Sequence, residues 1–238
     1  MRTVIIPTLN EEENIERIIR SIFFFQERAD ISIIIVDDNS TDNTHQIVER
    51  LIDEYDELSM IVRIHEKGLG GAVREGASHI KSGPIIVMDA DFSHHPRYLP
   101  TMFEKLDAGY DVVVGSRYSE GGRIIGWPGY RIVLSVIATR LVSILFRVKT
   151  KDPMSGLVGC RSAQLLMTGF QNDGFKFLLE ILVRNSNIRV KDVPIVFLDR
   201  IHGRSKLGAK TILQFMILIT KLLFRRKLLE GWKLQEVL

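Results

Sequence analysis

Residues 31–38 have the sequence Ile-Ser-Ile-Ile-Ile-Val-Asp-Asp, a β-branched run that ends abruptly on two carboxylates. Apolar residues at nearly every position predict a strand that is buried on both faces, as in a parallel sheet covered by helices. Further strands of this kind are predicted at residues 3–8, 60–64, 85–88 and 111–114. Helical spacing of apolar residues between these runs, as in residues 11–25, completes a βαβ pattern. The expected fold class is therefore α/β, with a mostly parallel Rossmann-like sheet flanked by helices.

The composition is that of a folded domain. The 238 residues are 45% hydrophobic and 26% charged, which is enough for a full core and excludes a disordered chain. A single cysteine, Cys160, excludes an internal disulfide framework and a zinc–cysteine cluster, and we expect it to lie in the core. We expect no signal peptide, because the first predicted strand begins at Thr3.

The charge is distributed unevenly. Residues 1–116 contain 11 Lys and Arg against 21 Asp and Glu, a net charge of −10. Residues 117–238 contain 21 against 8, a net charge of +13. The basic half therefore favours a polyanionic partner: nucleic acid, a phosphorylated ligand or an anionic membrane surface.

Polar segments that contain acidic residues follow three of the predicted strands. They are Asn10-Glu11, Asp37-Asp38 and Asp89-Ala90-Asp91, and ligands of parallel sheets bind at this edge. Asp89 and Asp91 suit a hard cation, Mg²⁺ or Mn²⁺, whose coordination phosphate oxygens of a nucleotide would complete. Asp38 suits a ribose or a base, although an acid that stabilises a helix N-terminus is the alternative.

The turn Gly68-Leu69-Gly70-Gly71 indicates little by itself. Its spacing matches neither a phosphate-binding loop nor the dinucleotide fingerprint, which disfavours kinases, P-loop hydrolases and NAD enzymes. His94 and His95 are adjacent and normally point different ways, so we expect them to pack or to cap a helix.

The second half contains two apolar helical runs with polar stripes, residues 132–148 and 207–224. Each is shorter than about 20 residues and interrupted by charge, so we do not expect either to span a membrane. The alternatives are two buried core helices, or interfacial helices with Arg225-Arg226-Lys227 meeting anionic headgroups; the wide apolar faces favour the second. Arg117, Arg131 and Arg200 lie close to these helices in sequence and favour a lipid-phosphate site.

Several motifs resemble family-2 inverting glycosyltransferases of GT-A fold. They lie at residues 4–11, 35–40, 87–96 and 115–118. The stretches 89–96, 126–127, 152–156 and 196–208 are similar, more narrowly, to the dolichyl-phosphate mannose synthases of that family. The similarity covers roughly residues 2–224.

The resemblance implies roles for particular residues. The nucleotide sugar would be held by Pro7, Leu9, Glu11, Val36, Asp38, Asp89, Ala90, Asp91, Arg200 and Lys206. The lipid phosphate would be received by Arg117, Arg131 and Ser135. Asp89 and Asp91 would bind Mg²⁺ or Mn²⁺, and Ser93 stands where some archaeal relatives carry a Gln ligand. The catalytic set would be Asp89, Asp91, Arg117 and Arg131.

The implied reaction moves mannose from GDP-mannose to dolichyl (polyprenyl) phosphate with inversion, for protein or lipid glycosylation. We expect a catalytic domain at residues 1–206, with an interfacial helix at 131–148, and a membrane-associating segment at 207–238. The expected location is peripheral, on the cytoplasmic face of a membrane, with a membrane-spanning anchor subunit as a candidate partner. The alternatives are a UDP-glucose donor, a soluble glycan acceptor and a non-catalytic membrane-surface binding protein. Sparse aromatic residues in the basic half disfavour nucleic acid.

Overall fold

The computed structural model describes residues 1–26, 30–65, 68–170, 176–185, 187–199 and 215–224. The strands are β1 Arg2–Thr8, β2 Ile31–Asp37, β3 Leu58–Val62, β4 Ile85–Val87, β5 Val112–Ser116, β6 Arg123–Ile125, β7 Val158–Cys160, β8 Val190–Pro194 and β9 Val196–Leu198. Seven form one sheet in the order β3-β2-β1-β4-β7-β5-β8, and β6 pairs with β9. Only β7 runs antiparallel to its neighbours within the described sheets, which confirms the predicted mostly parallel α/β fold.

Helices cover both faces of this sheet. They are α1 Ile15–Phe25, α2 Thr44–Ile52, α3 Leu69–Ser78, α4 Leu99–Asp107, α5 Gly129–Phe146, α6 Ala163–Thr168, α7 Phe177–Arg184 and α8 Phe215–Phe224. Alternate residues of β1 enter different cores: Val4 and Ile6 pack in the cluster that includes Ile18 of α1, whereas Ile5 packs with Val73 of α3. This two-sided burial is why the strands are apolar at nearly every position.

The third predicted strand was displaced, and four strands, β6 to β9, were not foreseen. β3 ends at Val62, two residues earlier than predicted, and Ile64 beyond it is 66% exposed. Strands β6, β7 and β9 have only three residues each, and β7 contains Gly159, so their apolar patterns are too short to detect. Cys160 is fully buried in β7 as expected, and burial raises the pKa of its thiol to about 12.

Helix α5 has its polar stripe facing the protein. Ser135 and Thr139 lie on the inner side, while Val133, Ile137 and Ile144 are more than half exposed. The less favoured alternative, a buried core helix, is therefore wrong for α5, whose most apolar window of 18 residues is only 17% buried. By length and composition alone, α5 is also long and apolar enough to cross a membrane, so the expectation that it does not span one stays a prediction.

Helix α8 covers one side of α5. Val142 and Phe146 of α5 pack with Ile219 and Leu222 of α8 in a separate apolar cluster. The remainder of the run predicted at 207–224, and the basic residues 225–227, lie outside the described residues. The proposed boundary between 206 and 207 therefore stays a prediction.

Candidate active site

The three acidic strand ends meet at one edge of the sheet. Strand β1 lies between β2 and β4 and is parallel to both. The backbone N–H of Asp38 donates to the Thr8 carbonyl at 2.9 Å, and that of Met88 donates to the Ile5 carbonyl at 3.1 Å. Parallel neighbours thus bring Asp38 and the aspartates after β4 to the same edge, as the sequence predicted.

Asp37 and Asp38 are adjacent but are held by different groups. Asp37 is fully buried, accepts hydrogen bonds from the Ser40 backbone and hydroxyl at 2.7 and 2.6 Å, and lies 2.6 Å from His45 Nε2. It therefore fixes the turn after β2. The Asp38 carboxylate is held by Arg63 and the backbone of Gly68, at the start of the glycine-rich turn.

The other residues that the resemblance assigned to the nucleotide differ in how much of each is exposed to solvent. Leu9 is 40% exposed, and Pro7 and Glu11 are partly buried. The Glu11 backbone N–H donates to Thr44 Oγ1 at 2.9 Å, which fixes the start of this loop. Val36 and Ala90 are buried in the apolar cores, so their side chains lie beneath this edge of the sheet and are not exposed at it.

Asp89 and Asp91 follow β4 on a sharply bent segment. Phe92 has a φ of 57°, in the left-handed region that a bulky residue rarely adopts. The bend places Asp91 Oδ1 2.9 Å from the Ser93 backbone N–H and leaves Asp89 Oδ2 3.7 Å from His94 Nδ1. Gly156 packs so closely that an added Cβ would lie 2.8 Å from Asp89 Oδ2. As expected, His94 packs in the interior, and His95 caps the turn Pro96–Tyr98 by accepting from the Arg97 backbone N–H.

The residues around Asp91 fit a hard divalent cation. Ser93 is 2% exposed, and its Oγ has no hydrogen-bond partner among the described residues. A buried hydroxyl two residues beyond Asp91, with Asp89 on the same bend, offers oxygen ligands, which Mg²⁺ and Mn²⁺ prefer. Within the described ranges no group of three or more His, Cys, Asp or Glu residues is placed to hold a metal. The candidate donors are therefore two carboxylates and one hydroxyl, which leaves positions for phosphate oxygens.

Arg117 is bound to a buried carboxylate. Its Nε donates to Asp152 Oδ2 at 2.7 Å, and its Nη2 donates to Asp152 Oδ1 at 2.8 Å. Burial would lower the pKa of the guanidinium, but the hydrogen bonds and charge of Asp152 outweigh it, and the pKa is raised. Of the predicted phosphate-binding residues, Arg117 therefore has two of its three nitrogens already engaged.

Arg131 lies in the first turn of α5, against an aromatic ring. Its guanidinium carbon lies 3.9 Å from the centre of the Trp127 ring, and its Nη1 lies 3.3 Å from Asp199 Oδ1. The Trp127 indole also donates to Asp199, at 3.1 Å. The buried Nε of Arg131 has no partner in the part of the chain that the structure describes. One turn further on, Ser135 Oγ accepts from the Tyr118 hydroxyl at 2.7 Å.

The side chain of Phe197 joins the acidic and basic groups. Its ring centre lies 5.1 Å from that of His94 and 5.3 Å from that of Trp127, and the Arg117 guanidinium lies 5.5 Å from it. Since His94 neighbours Asp89, one ring separates the acidic strand end from the guanidinium cluster. The two groups therefore lie on the same side of the molecule. Arg200 and Lys206, which the resemblance also assigned, lie outside the described residues.

Sequence reasoning missed four residues of this site. Asp152 and Trp127 were visible within the similar stretches 152–156 and 126–127, although no role was assigned to them. Arg63 and Lys176 carried no signal because their neighbours in the fold are distant in sequence. The pKa of Lys176 is lowered to about 8 by burial and by Arg117, against the opposing influence of Asp152 and Asp89. Lys176 is therefore a further cation near both groups.

The fold and the match to a family model define the class of this protein, a glycosyltransferase. The chain matches the model of glycosyl transferase family 2 over residues 3–165 and belongs to that family.

Curated relatives extend the similarity over most of the chain. It is 36% identical to the dolichol-phosphate mannosyltransferase of Pyrococcus furiosus, over 93% of this chain and 63% of that protein. Identity to the Saccharomyces cerevisiae dolichol-phosphate mannosyltransferase is 34%, over 90% of this chain and 84% of the relative. The polyprenol monophosphomannose synthase of Mycolicibacterium smegmatis is 32% identical, over 92% and 85%. The chain thus spans less than two thirds of the Pyrococcus relative.

Solved structures confirm the GT-A fold. Glucosyl-3-phosphoglycerate synthase from Mycobacterium tuberculosis, in complex with Mn²⁺, UDP and phosphoglyceric acid, gives a TM-score of 0.70 at 20% identity, over 93% of this chain and 78% of that chain. Its complex with Mg²⁺ and UDP gives 0.66 at 21% identity, over 87% and 73%. Identity this low shows the fold alone.

Proposed function

We propose that this protein transfers a mannosyl group from GDP-mannose to dolichyl (polyprenyl) phosphate, with inversion at the anomeric carbon. The names of three relatives at 32–36% identity support this donor sugar and this class of acceptor. The product would serve protein or lipid glycosylation.

One relationship carries the proposal: Arg131 lies at the base of α5, and the outer face of α5 is apolar. A lipid whose phosphate meets Arg131 can lay its chain along Ile137 and Ile144, which are exposed. The same Arg131 stacks on Trp127, which contacts Phe197 and is thereby close to Asp89. An acceptor with an anionic head and an apolar tail fits this arrangement better than a soluble glycan.

The displacement needs no strong general base. A phosphate monoester has a second pKa of about 6, so its oxygen is already anionic near neutral pH. That oxygen attacks the anomeric carbon, the bond from this carbon to the diphosphate oxygen breaks, and the electron pair leaves with GDP. A soluble glycan hydroxyl would instead have to lose a proton.

The acidic side of the site holds the donor. Asp89 and Asp91, with Ser93, would bind Mg²⁺ or Mn²⁺, which supplies positive charge for the departing diphosphate. Glu11 and Asp38, with Pro7 and Leu9, would hold the nucleoside over the floor formed by Val36 and Ala90. Arg200 and Lys206 are proposed to contact the diphosphate.

The basic side of the site orients the acceptor. The Nε of Arg131, which has no partner among the described residues, is a donor for a phosphate oxygen, and Ser135 supplies a hydroxyl one turn away. Arg117, fixed by Asp152, keeps its Nη1 for the same phosphate. A cation that is already fixed in place costs no reorganisation when the two anionic substrates are brought together.

The apolar face of α5 and the basic half of the chain support association with a membrane surface. Residues 1–206 would form the catalytic domain, and residues 207–238 would add a second membrane-associating segment. A peripheral location on the cytoplasmic face, with a membrane-spanning anchor subunit as partner, completes the proposal.

A radiolabelled transfer assay tests the donor. The full chain is incubated with dolichyl phosphate in detergent or vesicles and with either GDP-mannose or UDP-glucose, with and without Mn²⁺. We expect label in the lipid fraction from GDP-mannose only, and only with the metal. Preferential transfer from UDP-glucose would contradict the donor, and binding to vesicles without any transfer would favour a non-catalytic membrane-surface protein.

A further inference from the structure

The Asp38 carboxylate is clamped by two groups from outside its own strand. Arg63, which follows β3, donates from Nη1 to Asp38 Oδ1 at 2.6 Å. The backbone N–H of Gly68 donates to Asp38 Oδ2 at 2.7 Å. Among the described residues, each carboxylate oxygen therefore accepts one hydrogen bond, which leaves it a second lone pair. The orientation of the carboxylate plane is fixed by these two contacts.

The glycine-rich turn is shaped for this clamp. Arg63 Nη1 also donates to the Gly68 carbonyl at 3.2 Å, so the guanidinium bridges Asp38 and the turn. Gly68 has a φ of 140°, a conformation that favours glycine. An added Cβ at Gly71 would lie 2.4 Å from Arg63 Nη2, so only glycine leaves room for the guanidinium there. This packing explains a motif that fits no phosphate-binding pattern.

We propose that Arg63 and the turn Gly68–Gly71 position Asp38 to select guanine over other bases, which rests on the donor nucleotide assigned above. Guanine presents two adjacent donors, N1–H and the exocyclic N2–H, which match the two free lone pairs of a fixed carboxylate. Uracil presents only N3–H on the corresponding edge, and adenine presents no such pair of donors. Arg63 is a positioning residue, because it acts on the base through Asp38.

Burial strengthens this selection. The side chains of Arg63 and Asp38 are only 9% and 10% exposed, so few waters compete for the carboxylate. A charged hydrogen bond at a buried position discriminates strongly between bases. A base without the matching donor displaces water from the carboxylate but gives it no hydrogen bond in return. The loss of one such bond is expected to weaken binding about tenfold or more.

Calorimetric binding of GDP, IDP and UDP to the full chain with Mn²⁺ tests the proposal. IDP lacks the N2 amino group, so wild-type protein should bind it about tenfold more weakly than GDP. In Arg63→Met, GDP should lose two oriented hydrogen bonds and UDP one, so the ratio of UDP to GDP dissociation constants should fall about tenfold. Arg63→Lys keeps the charge without the guanidinium geometry and should restore the ratio only in part.

Gly71→Ala provides an independent variant that keeps Arg63. The new methyl group would push the guanidinium away from Asp38, although alanine favours a helix at this position of α3. The guanine preference should fall, together with some stability because a buried ion pair is disturbed. General damage to the fold would instead weaken GDP and UDP binding alike and leave the ratio of their dissociation constants unchanged. Arg50→Met, in an exposed arginine on α2, is the matched control and should leave the ratio unchanged.

The possible results distinguish failure of this proposal from failure of the proposed function. A wild-type protein that binds UDP more tightly than GDP would contradict the donor assignment and the guanine selection with it. A ratio of dissociation constants that is unchanged in both Arg63→Met and Gly71→Ala would overturn the role of Arg63 whichever donor is used. Equal affinity of wild-type protein for GDP and IDP would show that Asp38 does not bind the N2 amino group.

Discussion

Arg117 and Asp152 form a buried bidentate pair, with hydrogen bonds of 2.7 and 2.8 Å between their side chains and a third, of 3.0 Å, from the Arg117 backbone N–H. The pair joins the segment after β5 to the loop that precedes β7. Because Asp152 holds the guanidinium from one side, Arg117 presents its other side to Trp127 and Phe197. The orientation of the basic side of the site depends on this contact.

Replacing Asp152 tests that dependence. Asp152→Ala leaves the Arg117 charge buried without its partner, so the free energy of unfolding should fall by about 3–5 kcal/mol. Urea unfolding measures it. The exposed pair Arg2–Asp107 is the control, and Asp107→Ala should cost less than about 1 kcal/mol. Equal losses in the two variants would mean that the buried pair has no special role.

Asp91 is the sharpest test of the acidic side. Asp91→Ala removes a carboxylate close to the Ser93 hydroxyl, which has no hydrogen-bond partner in the described part of the chain, and metal-dependent transfer should fall about 100-fold or more. The unfolding midpoint is measured alongside to show that the variant still folds, since Asp91 is buried and accepts a hydrogen bond from the Ser93 backbone N–H at 2.9 Å. Activity against Mn²⁺ concentration is the measurement, with Asp56→Ala at an exposed position as control. Near-normal turnover would remove the metal role of Asp91.

Arg131 should affect the acceptor more than the donor. Arg131→Ala removes the guanidinium that stacks on Trp127, so the KM for dolichyl phosphate should rise, or kcat should fall, about tenfold. Calorimetric affinity for GDP should change less than about twofold. Arg140→Ala, exposed on the same helix, should leave both unchanged. Unchanged lipid kinetics in Arg131→Ala would contradict its role.

Lys176 gives the protein a pH-dependent term in stability. Its pKa is lowered from 10.5 to about 8, so between these values the unfolded chain binds more protons than the folded one. This group therefore destabilises the folded state below pH 8 and ceases to do so as the pH rises towards 10.5. Relative to Lys176→Met, wild-type protein should gain stability over this range, by at most about 1.4 kcal/mol per pH unit. Urea unfolding of both proteins at pH 7 and 9.5 checks the sign; a difference that is independent of pH would mean that the amine is not perturbed.

Local sequence patterns were sufficient to predict the site residues that directly follow a strand. Asp38, Asp89 and Asp91 follow apolar runs directly, and parallel pairing alone brings such strand ends together. The charge pattern singled out Arg131, the resemblance added Ser135, and the roles of both stay predictions. The spacing of Ser135 and Thr139 also showed that α5 has a polar and an apolar face. It did not show which of the two faces is exposed to solvent.

Contacts between distant segments could not be predicted. The partner of Arg117 is 35 residues away, and Phe197 joins two halves of the site from a three-residue strand with no detectable pattern. The same holds for Arg63, whose role depends on a glycine turn that matches no known spacing. A single sequence shows which residues can take part in chemistry. Which of them contact each other across packed loops can be seen only in the folded structure.

The most direct test of the account compares two acceptors with one donor. Wild-type protein with radiolabelled GDP-mannose and Mn²⁺ is offered dolichyl phosphate or dolichol in matched vesicles, and the anomeric configuration of the product is determined. We predict transfer to dolichyl phosphate alone, with inverted configuration, because the site has cations for a phosphate and the reaction needs no base. Equal labelling of dolichol, or a product that retains the configuration of the donor, would contradict it.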